Sequence, residues 1–364
     1  MAEPKMAFVV DALPGLGGSE RVLMAALERF PSVPVYTLIY NRASFEGTPL
    51  AGRDVRVSWV ERLPAASAHY RSYLPILPLA IRHLDLRAYE VVVSFHYAVA
   101  HGIQPRPGQT HFSYVYTPLR YAWRAEDPHL PRFGPARWAA AAVFGGIRGW
   151  DRRVARCVQS YASVSSWAAG NVWRAFGRTA QVIYPPVEVE RFDPLGERKG
   201  YFLTVSRLVA HKRVDLVVDA FSRLGLPLLV VGEGPQRAAL EHAAAANVRF
   251  LGHRSDAEVA ELMGHARAFV HAGEEDFGIA LVEAQASGCP VIAFGGGAAS
   301  ETITDGVHGL LFSEQSTDSL VEAVARFERA GRRFNPRELA GNAARFCTKR
   351  FQEEFSLWVE ERSG

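Results

Sequence analysis

The stretch Gly273-Glu274-Glu275-Asp276-Phe277-Gly278-Ile279-Ala280-Leu281-Val282-Glu283 decides how this chain is read. Before it, Ala268-Phe269-Val270-His271 is apolar enough for a buried strand. After it, apolar residues continue to the stop Ser287-Gly288-Cys289-Pro290. A short apolar strand, a polar turn and an apolar helix are the unit of a parallel α/β sheet. On this reading Glu275 lies on the loop leaving the strand and Glu283 about two turns into the helix. The amides of Phe277, Gly278 and Ile279 open that helix and favour an anion. Carboxylates accept from hydroxyls and amides donate to phosphates, so the segment suits a ligand carrying both, as a sugar nucleotide does. A surface loop and a capping glutamate would satisfy the spacing equally, and the rest of the chain has to decide.

Working outward, the same alternation runs from end to end. Strands are predicted at 6–12, 33–40, 55–59, 90–95, 111–116 and 160–164, then at 201–206, 227–232, 248–251, 267–271, 290–294 and 309–312. Helical periodicity separates them, as at 20–30, 213–224, 235–246, 256–265 and 316–329. The periodicity breaks at Tyr184-Pro185-Pro186 and again near Pro194, which predicts one domain over 1–190 and a second over 191–345. The aromatic tail 335–361 reads as helical.

Length allows two cores, and the chain is 48% hydrophobic and 22% charged, ordinary for a globular protein. Cys157, Cys289 and Cys347 form no C-x-x-C pair, so neither a disulfide framework nor a zinc site is indicated and a cytoplasmic setting fits. The N-terminus reads as a strand rather than a leader. The longest apolar run, Trp138 to Ile147, is half what a membrane span needs. Residues 1–195 carry 22 Lys/Arg against 15 Asp/Glu, and the remainder 19 against 23. This asymmetry suits an anionic or membrane-attached partner for the first domain. Tyr70 to Arg82 mixes aromatic, aliphatic and basic residues and is a candidate for that contact, with packing inside the domain as the alternative. No nucleic-acid motif is present.

Four further segments place chemistry at strand ends. Val205-Ser206-Arg207-Leu208 runs into His211-Lys212-Arg213 and a helix. A cation at a helix entrance opposes the helix dipole, so Arg207 and Lys212 suit a phosphate better than a structural role. Gly232-Glu233-Gly234-Pro235 follows another strand, where close approach to a ligand and a tight turn both account for the glycines. Gly15-Leu16-Gly17-Gly18-Ser19-Glu20 opens the first helix, and Glu20 in the last glycine position excludes the dinucleotide fingerprint. His96, at the exit of strand Val91-Val92-Val93, faces a transfer site or caps the strand, with His101 behind it.

In this order, the motifs resemble those of retaining glycosyltransferases of the GT-B fold, in particular glycosyltransferase family 4. The 273–283 segment is similar to the family's E-x7-E signature. The resemblance implies that Glu275 contacts donor-sugar hydroxyls and Glu283 the nucleotide ribose. Arg207 and Lys212 fall on the basic positions of G-R-L-x-x-x-K-G, with Ser206 and Arg213 replacing its glycines. Gly232 and Gly234 fall on G-x-G-P, Gly17 and Gly18 on G-G-[SA]-E, and His253 and Arg254 on the stretch that meets the nucleobase. Tyr114 to Trp123 resembles Y-x-H-T-P-x-R-Y-x-W of bacterial polysaccharide mannosyltransferase-like enzymes. There Tyr116, Arg120 and Tyr121 are acceptor-side candidates, Tyr116 stands where His is common and Arg124 where Asp is common.

The implied architecture is α/β: two Rossmann-like doubly wound domains facing across a cleft, acceptor side first and nucleotide-sugar side second. A C-terminal helix, 346–364, would cross back to the first domain. The implied reaction is metal-independent, front-face transfer of a hexosyl group, mannosyl first. GDP-mannose is the favoured donor and a UDP-hexose the next. The acceptor would be a glycan, a lipid-linked or a small molecule, met at the cytoplasmic face of the membrane. Arg207, Lys212, Glu275 and His96 would be the catalytic set, with no metal and no cofactor beyond the donor. A non-catalytic sugar-nucleotide-binding subunit and a GT-B epimerase stay open as alternatives.

Overall fold

A computed structural model describes residues 5–123, 135–330 and 334–361. The chain divides into two compact units, Met1–Pro186 with Phe351–Gly364, and Val187–Arg350. The first carries a sheet of β1 (Met6–Val10), β2 (Val35–Thr37), β3 (Val55–Val57), β4 (Val91–His96), β5 (Thr110–Val115), β6 (Ser160–Ser163) and β7 (Ala180–Val182). These pair in the order β3-β2-β1-β4-β5-β6-β7, every pair parallel. The second unit carries β8 (Phe202–Val205), β9 (Leu228–Val231), β10 (Val248–Gly252), β11 (Ala268–His271), β12 (Val291–Phe294) and β13 (Gly309–Phe312). Their order is β10-β9-β8-β11-β12-β13, again all parallel.

Both sheets are doubly wound, and in each the strand order reverses once, between β1 and β4 and between β8 and β11. Open parallel sheets bind ligands beyond the carboxyl ends of the strands at such reversals. Helices cover both faces, so β4 is buried throughout as Val-Val-Val-Ser-Phe-His and shows no polar alternation. Helix Val214–Leu224 buries Val214, Val217, Val218, Ala220 and Phe221 and stops at Gly225 in the left-handed region.

The predicted strands and helices are found within a few residues of their expected ends. β7 is the strand the sequence did not show, because Ala-Gln-Val is too short and too little β-branched to stand out. The helical tail is broken into Pro336–Ala343 and Thr348–Glu360. The second piece packs on the first unit. There Phe355 stacks on Phe95 at 5.7 Å and Trp358 Nε1 donates to Ser160 Oγ at 3.0 Å. Within 70–82, Leu77, Ala80 and Ile81 are buried and Tyr70, Tyr73 and Leu74 pack on the same core. Packing, not an open aromatic face, therefore accounts for most of that stretch. Among the described residues no helix is long and apolar enough to cross a membrane.

Candidate functional site

In the second unit the reversal between β8 and β11 brings the predicted basic and acidic residues together. β8 ends at Val205, and its loop closes in a short turn, Ala210–Lys212, followed by Arg213 at φ 50°. β11 ends at His271, and Gly273 passes so close to Lys212 that an added Cβ would lie 3.1 Å from its Cα. Lys212 Nζ consequently donates to both oxygens of Glu275, at 2.6 and 2.8 Å. His271 Nε2 sits 2.7 Å from Glu275 Oε1. Burial pushes the Glu275 carboxyl up, but Lys212 and His271 outweigh it and hold the group well below the usual 4.5.

The loop itself is fixed by backbone. Ala298 N–H donates to Glu275 O, and Gly297, at φ 70°, allows the approach, because its Cβ would stand 2.4 Å from that oxygen. Gly278 (φ 88°) precedes helix Ile279–Ala286, and Phe277 packs edge-on against Phe346 at 5.4 Å. Glu283 is nearer the helix start than the sequence suggested, just over one turn in rather than two. It is buried and its Oε1 accepts from Arg191 Nη2 at 3.2 Å, while Arg191 also holds Asp256 at 3.0 Å.

Some expectations change. Lys212 and Glu275, assigned separately to phosphate and sugar, are partners of one another. Arg207 is exposed on the loop, and among the described residues no carboxylate pairs with it. Gly232 and Gly234 are occupied by the protein's own backbone: added Cβ atoms would stand 1.9 Å from Ser206 O and 2.4 Å from Leu208 O. They let the basic loop lie against the β9 turn, which accounts for both glycines by packing. His253 and Arg254 follow β10, His253 exposed and Arg254 3.6 Å from Glu258.

The reversal in the first unit is pinned by Asp11. Its carboxylate accepts the N–H groups of Tyr97, Ala98, Val99 and Ala100 at 2.5–3.0 Å, which ties the end of β1 to the turn after β4. Gly17 caps helix Gly18–Arg29 without a side-chain bond, and Tyr116 Oη donates to Ser19 O at 2.8 Å. Burial raises the Tyr116 phenol well above its ordinary value. Tyr116, Tyr97, Ser19 and Glu20 line a small cavity here.

His96 does not reach that cavity. It is fully buried, stacked on His101 at 3.8 Å, and burial holds it neutral. His101 is bonded to Asp151, whose other oxygen accepts from Trp123 Nε1 at 2.6 Å. The two imidazole planes are only 15° apart, so their lone pairs run side by side and do not converge on an ion. In this arrangement His96 is core, and contact with a substrate would require it to turn out. Arg120 opens helix Arg120–Trp123, which contains Tyr121. The Tyr121 side chain and all of Arg124 lie outside the described residues.

Three members of these sites carried no sequence signal strong enough to single out. Asp11 directly follows a strand, His271 ends one, and Arg191 lies in the proline-rich junction. Polar residues at the carboxyl ends of central strands were the available signal for the first two.

Residues 188–345 match the family described as glycosyl transferases group 1. The GDP-mannose-dependent alpha-(1-6)-phosphatidylinositol monomannoside mannosyltransferase of Mycobacterium tuberculosis is 31% identical over 238 residues, covering 53% of this chain and 61% of that protein. The GDP-mannose-dependent alpha-mannosyltransferase of Corynebacterium glutamicum is 33% identical over 139 residues, 37% of this chain and 33% of that one. The chain thus spans less than two thirds of these relatives. Among solved structures, sucrose-phosphate synthase from Thermosynechococcus elongatus superposes with a TM-score of 0.75 at 15% identity over 98% of each chain. Anabaena HepE in complex with UDP-glucose gives 0.73 at 17% identity, over 98% of this chain and 100% of that one. These likenesses are of fold: two Rossmann-like domains in the GT-B arrangement.

Proposed function

With residues 188–345 a group 1 glycosyl transferase domain and the whole chain folded as GT-B, we propose that this protein is a retaining, metal-independent hexosyltransferase. Its donor is GDP-mannose, with a UDP-hexose second. The acceptor is a glycan, a small molecule or a lipid-linked sugar at the cytoplasmic membrane face. The observation that carries this is the largely buried Lys212–Glu275 pair at the β8/β11 reversal, beside the start of helix Ile279–Ala286. GDP-mannose is favoured because both relatives are named for it, and UDP follows from the HepE complex.

An ammonium has three N–H donors, and Glu275 takes two of them, leaving one for a phosphate oxygen. Oε1 of Glu275 already meets Lys212 and His271, but Oε2 meets Lys212 alone and keeps a lone pair for a sugar hydroxyl, so the pair acts as a unit without separating. Arg207 supplies a second cation from the loop, and Arg191 orients Glu283 toward the ribose. As the C1–O bond to the diphosphate breaks, the leaving oxygen keeps the electron pair and Lys212 and Arg207 stabilise its charge. The acceptor oxygen bonds to C1 on the same face, and its proton passes to that leaving oxygen. No step requires a carboxylate nucleophile beneath the sugar.

The test is transfer from GDP-mannose with NMR assignment of the product anomer, in chelator and with metal added. An α-linked product at equal rates supports the reading, and a β-linked product or a metal requirement overturns it. Donor incubated alone separates the alternatives: an epimerised nucleotide sugar marks an epimerase. Tight binding with no transfer marks a binding subunit.

A further inference from the structure

Residues 135–180 of the first unit contain seven arginines, no lysine and one acid, Asp151. That acid is fully buried and committed to His101 and Trp123, so it screens nothing at the surface. Helix Pro135–Val154 and the turn after it place Trp138, Ala142, Gly146, Gly149, Arg153 and Arg156 at three- and four-residue spacing on one exposed face. The opposite face holds Ile147 and Asp151 in the core. The exposed stripe is apolar at its start, with Trp138 79% accessible, and basic at its end.

Neighbouring elements continue both characters. Arg152 Nε donates to Ala175 O at 3.2 Å, which sets the basic end beside the last turn of helix Ser166–Phe176. That turn exposes Arg174 and Trp173, the latter 59% accessible. Arg178 bonds to Val158 O at 2.8 Å, and with Arg156 and Arg106 it lines an open cavity of about 430 Å³. Among the described residues no carboxylate pairs with Arg148, Arg152, Arg153, Arg156, Arg174 or Arg178. One exposed indole beside Arg174, another at the start of the helix that ends in Arg152 and Arg153, and guanidinium groups with no carboxylate partner among the described residues match the interfacial layer of a bilayer with anionic headgroups.

We infer that this face, helix Pro135–Val154 with the end of helix Ser166–Phe176, docks the first unit on an anionic lipid surface. It replaces the 70–82 segment as the contact and deepens the membrane part of the proposed function. The Trp138 end enters the headgroup boundary and the arginines take lipid phosphates. A nucleic acid shares the charge complementarity but has no use for the apolar end.

The experiment measures co-sedimentation of the full chain with phosphatidylcholine vesicles, with and without added phosphatidylglycerol. Binding should need the anionic lipid and vanish at about 1 M salt, where screening falls within about 3 Å. Arg153→Gln with Arg156→Gln should weaken it about 25-fold, from about fivefold per arginine near an anionic surface. Trp138→Ala should weaken it separately, and a blue shift of tryptophan emission on vesicle binding should shrink in that variant. None of these three residues belongs to the nucleotide site, so nucleotide-induced thermal stabilisation is read on every variant as the check on folding. It also keeps failure of the glycosyltransferase reading distinct from failure of this one. Equal binding to neutral vesicles, unchanged binding by the double arginine variant, or binding to an oligonucleotide with no binding to vesicles overturns the inference.

Discussion

Replacing Lys212 by methionine removes the main partner of a buried carboxylate and leaves its neighbours in place. The side chains are 19% and 12% exposed, so solvent screens the pair little. Breaking one side of a buried ion pair costs about 3–5 kcal/mol because the remaining charge is stranded. His271 stays 2.7 Å from Glu275 and absorbs part of that, which puts the expected loss near 3 kcal/mol, or about 6–12 °C in Tm for a unit of this size. Adding Glu275→Gln removes the stranded charge and should restore stability to within about 1 kcal/mol of the native protein, without restoring transfer.

The pH dependence has a definite sign. The folded Glu275 carboxyl is held below its unfolded value, so its contribution is present above about pH 4.5 and is lost as pH falls through the folded value. The gap between native and Lys212→Met stability should therefore be constant near neutrality and narrow in acid. Circular dichroism during urea unfolding reads both units, and the transition it shows beyond the one seen by fluorescence belongs to the second. All seven tryptophans lie in the first unit, so their fluorescence serves as an internal control. A loss under about 0.5 kcal/mol, or no recovery in the double variant, would refute the pairing as described.

Other substitutions test the surrounding framework. Asp11→Asn sets an amide NH2 against two of the four backbone donors and should cost about 3 kcal/mol in a tryptophan-monitored urea titration, and a neutral result would contradict the pinning of the β1–β4 reversal. Arg213→Gly should stabilise the second unit by about 1 kcal/mol, since Arg213 bears a left-handed backbone where glycine is unstrained, and a lower urea midpoint would count against that. Gly232→Ala should abolish soluble expression or cost more than about 3 kcal/mol, because its Cβ falls 1.9 Å from Ser206 O, and a well-folded variant would disprove the close approach. Arg191→Ala should weaken nucleoside diphosphate binding about tenfold by calorimetry through loss of the Glu283 contact, and unchanged affinity would detach Arg191 from the site.

The fold was legible because parallel strands buried on both faces leave uninterrupted apolar runs, as in Val91-Val92-Val93 and Leu228-Leu229-Val230-Val231. The edge strand Ala180–Val182 was not, since its backbone pairing with β6 is a tertiary fact. Spacing placed Lys212 and Glu275 each beyond the end of a strand, but did not show that the two pair. That depends on β8 and β11 being neighbours and on Gly273 letting the two loops close. The G-x-G turn was visible, yet its reason, the backbone of Ser206 and Leu208 lying over it, is not encoded locally. The burial of His96 against His101 was not legible, because a strand-end histidine can face either way. Arg213 in a glycine position looked like a mild departure, whereas its φ of 50° makes it a strained one.

The most direct test of the central claim is calorimetric titration of the native chain and of Lys212→Ala with GDP, GDP-mannose, UDP and UDP-glucose. The account predicts that a guanosine ligand binds the native protein more tightly than its uridine counterpart. It also predicts that Lys212→Ala loses at least about tenfold in affinity for the diphosphate. No binding of any of the four, or full affinity retained without Lys212, would contradict a nucleotide-sugar site at the β8/β11 reversal.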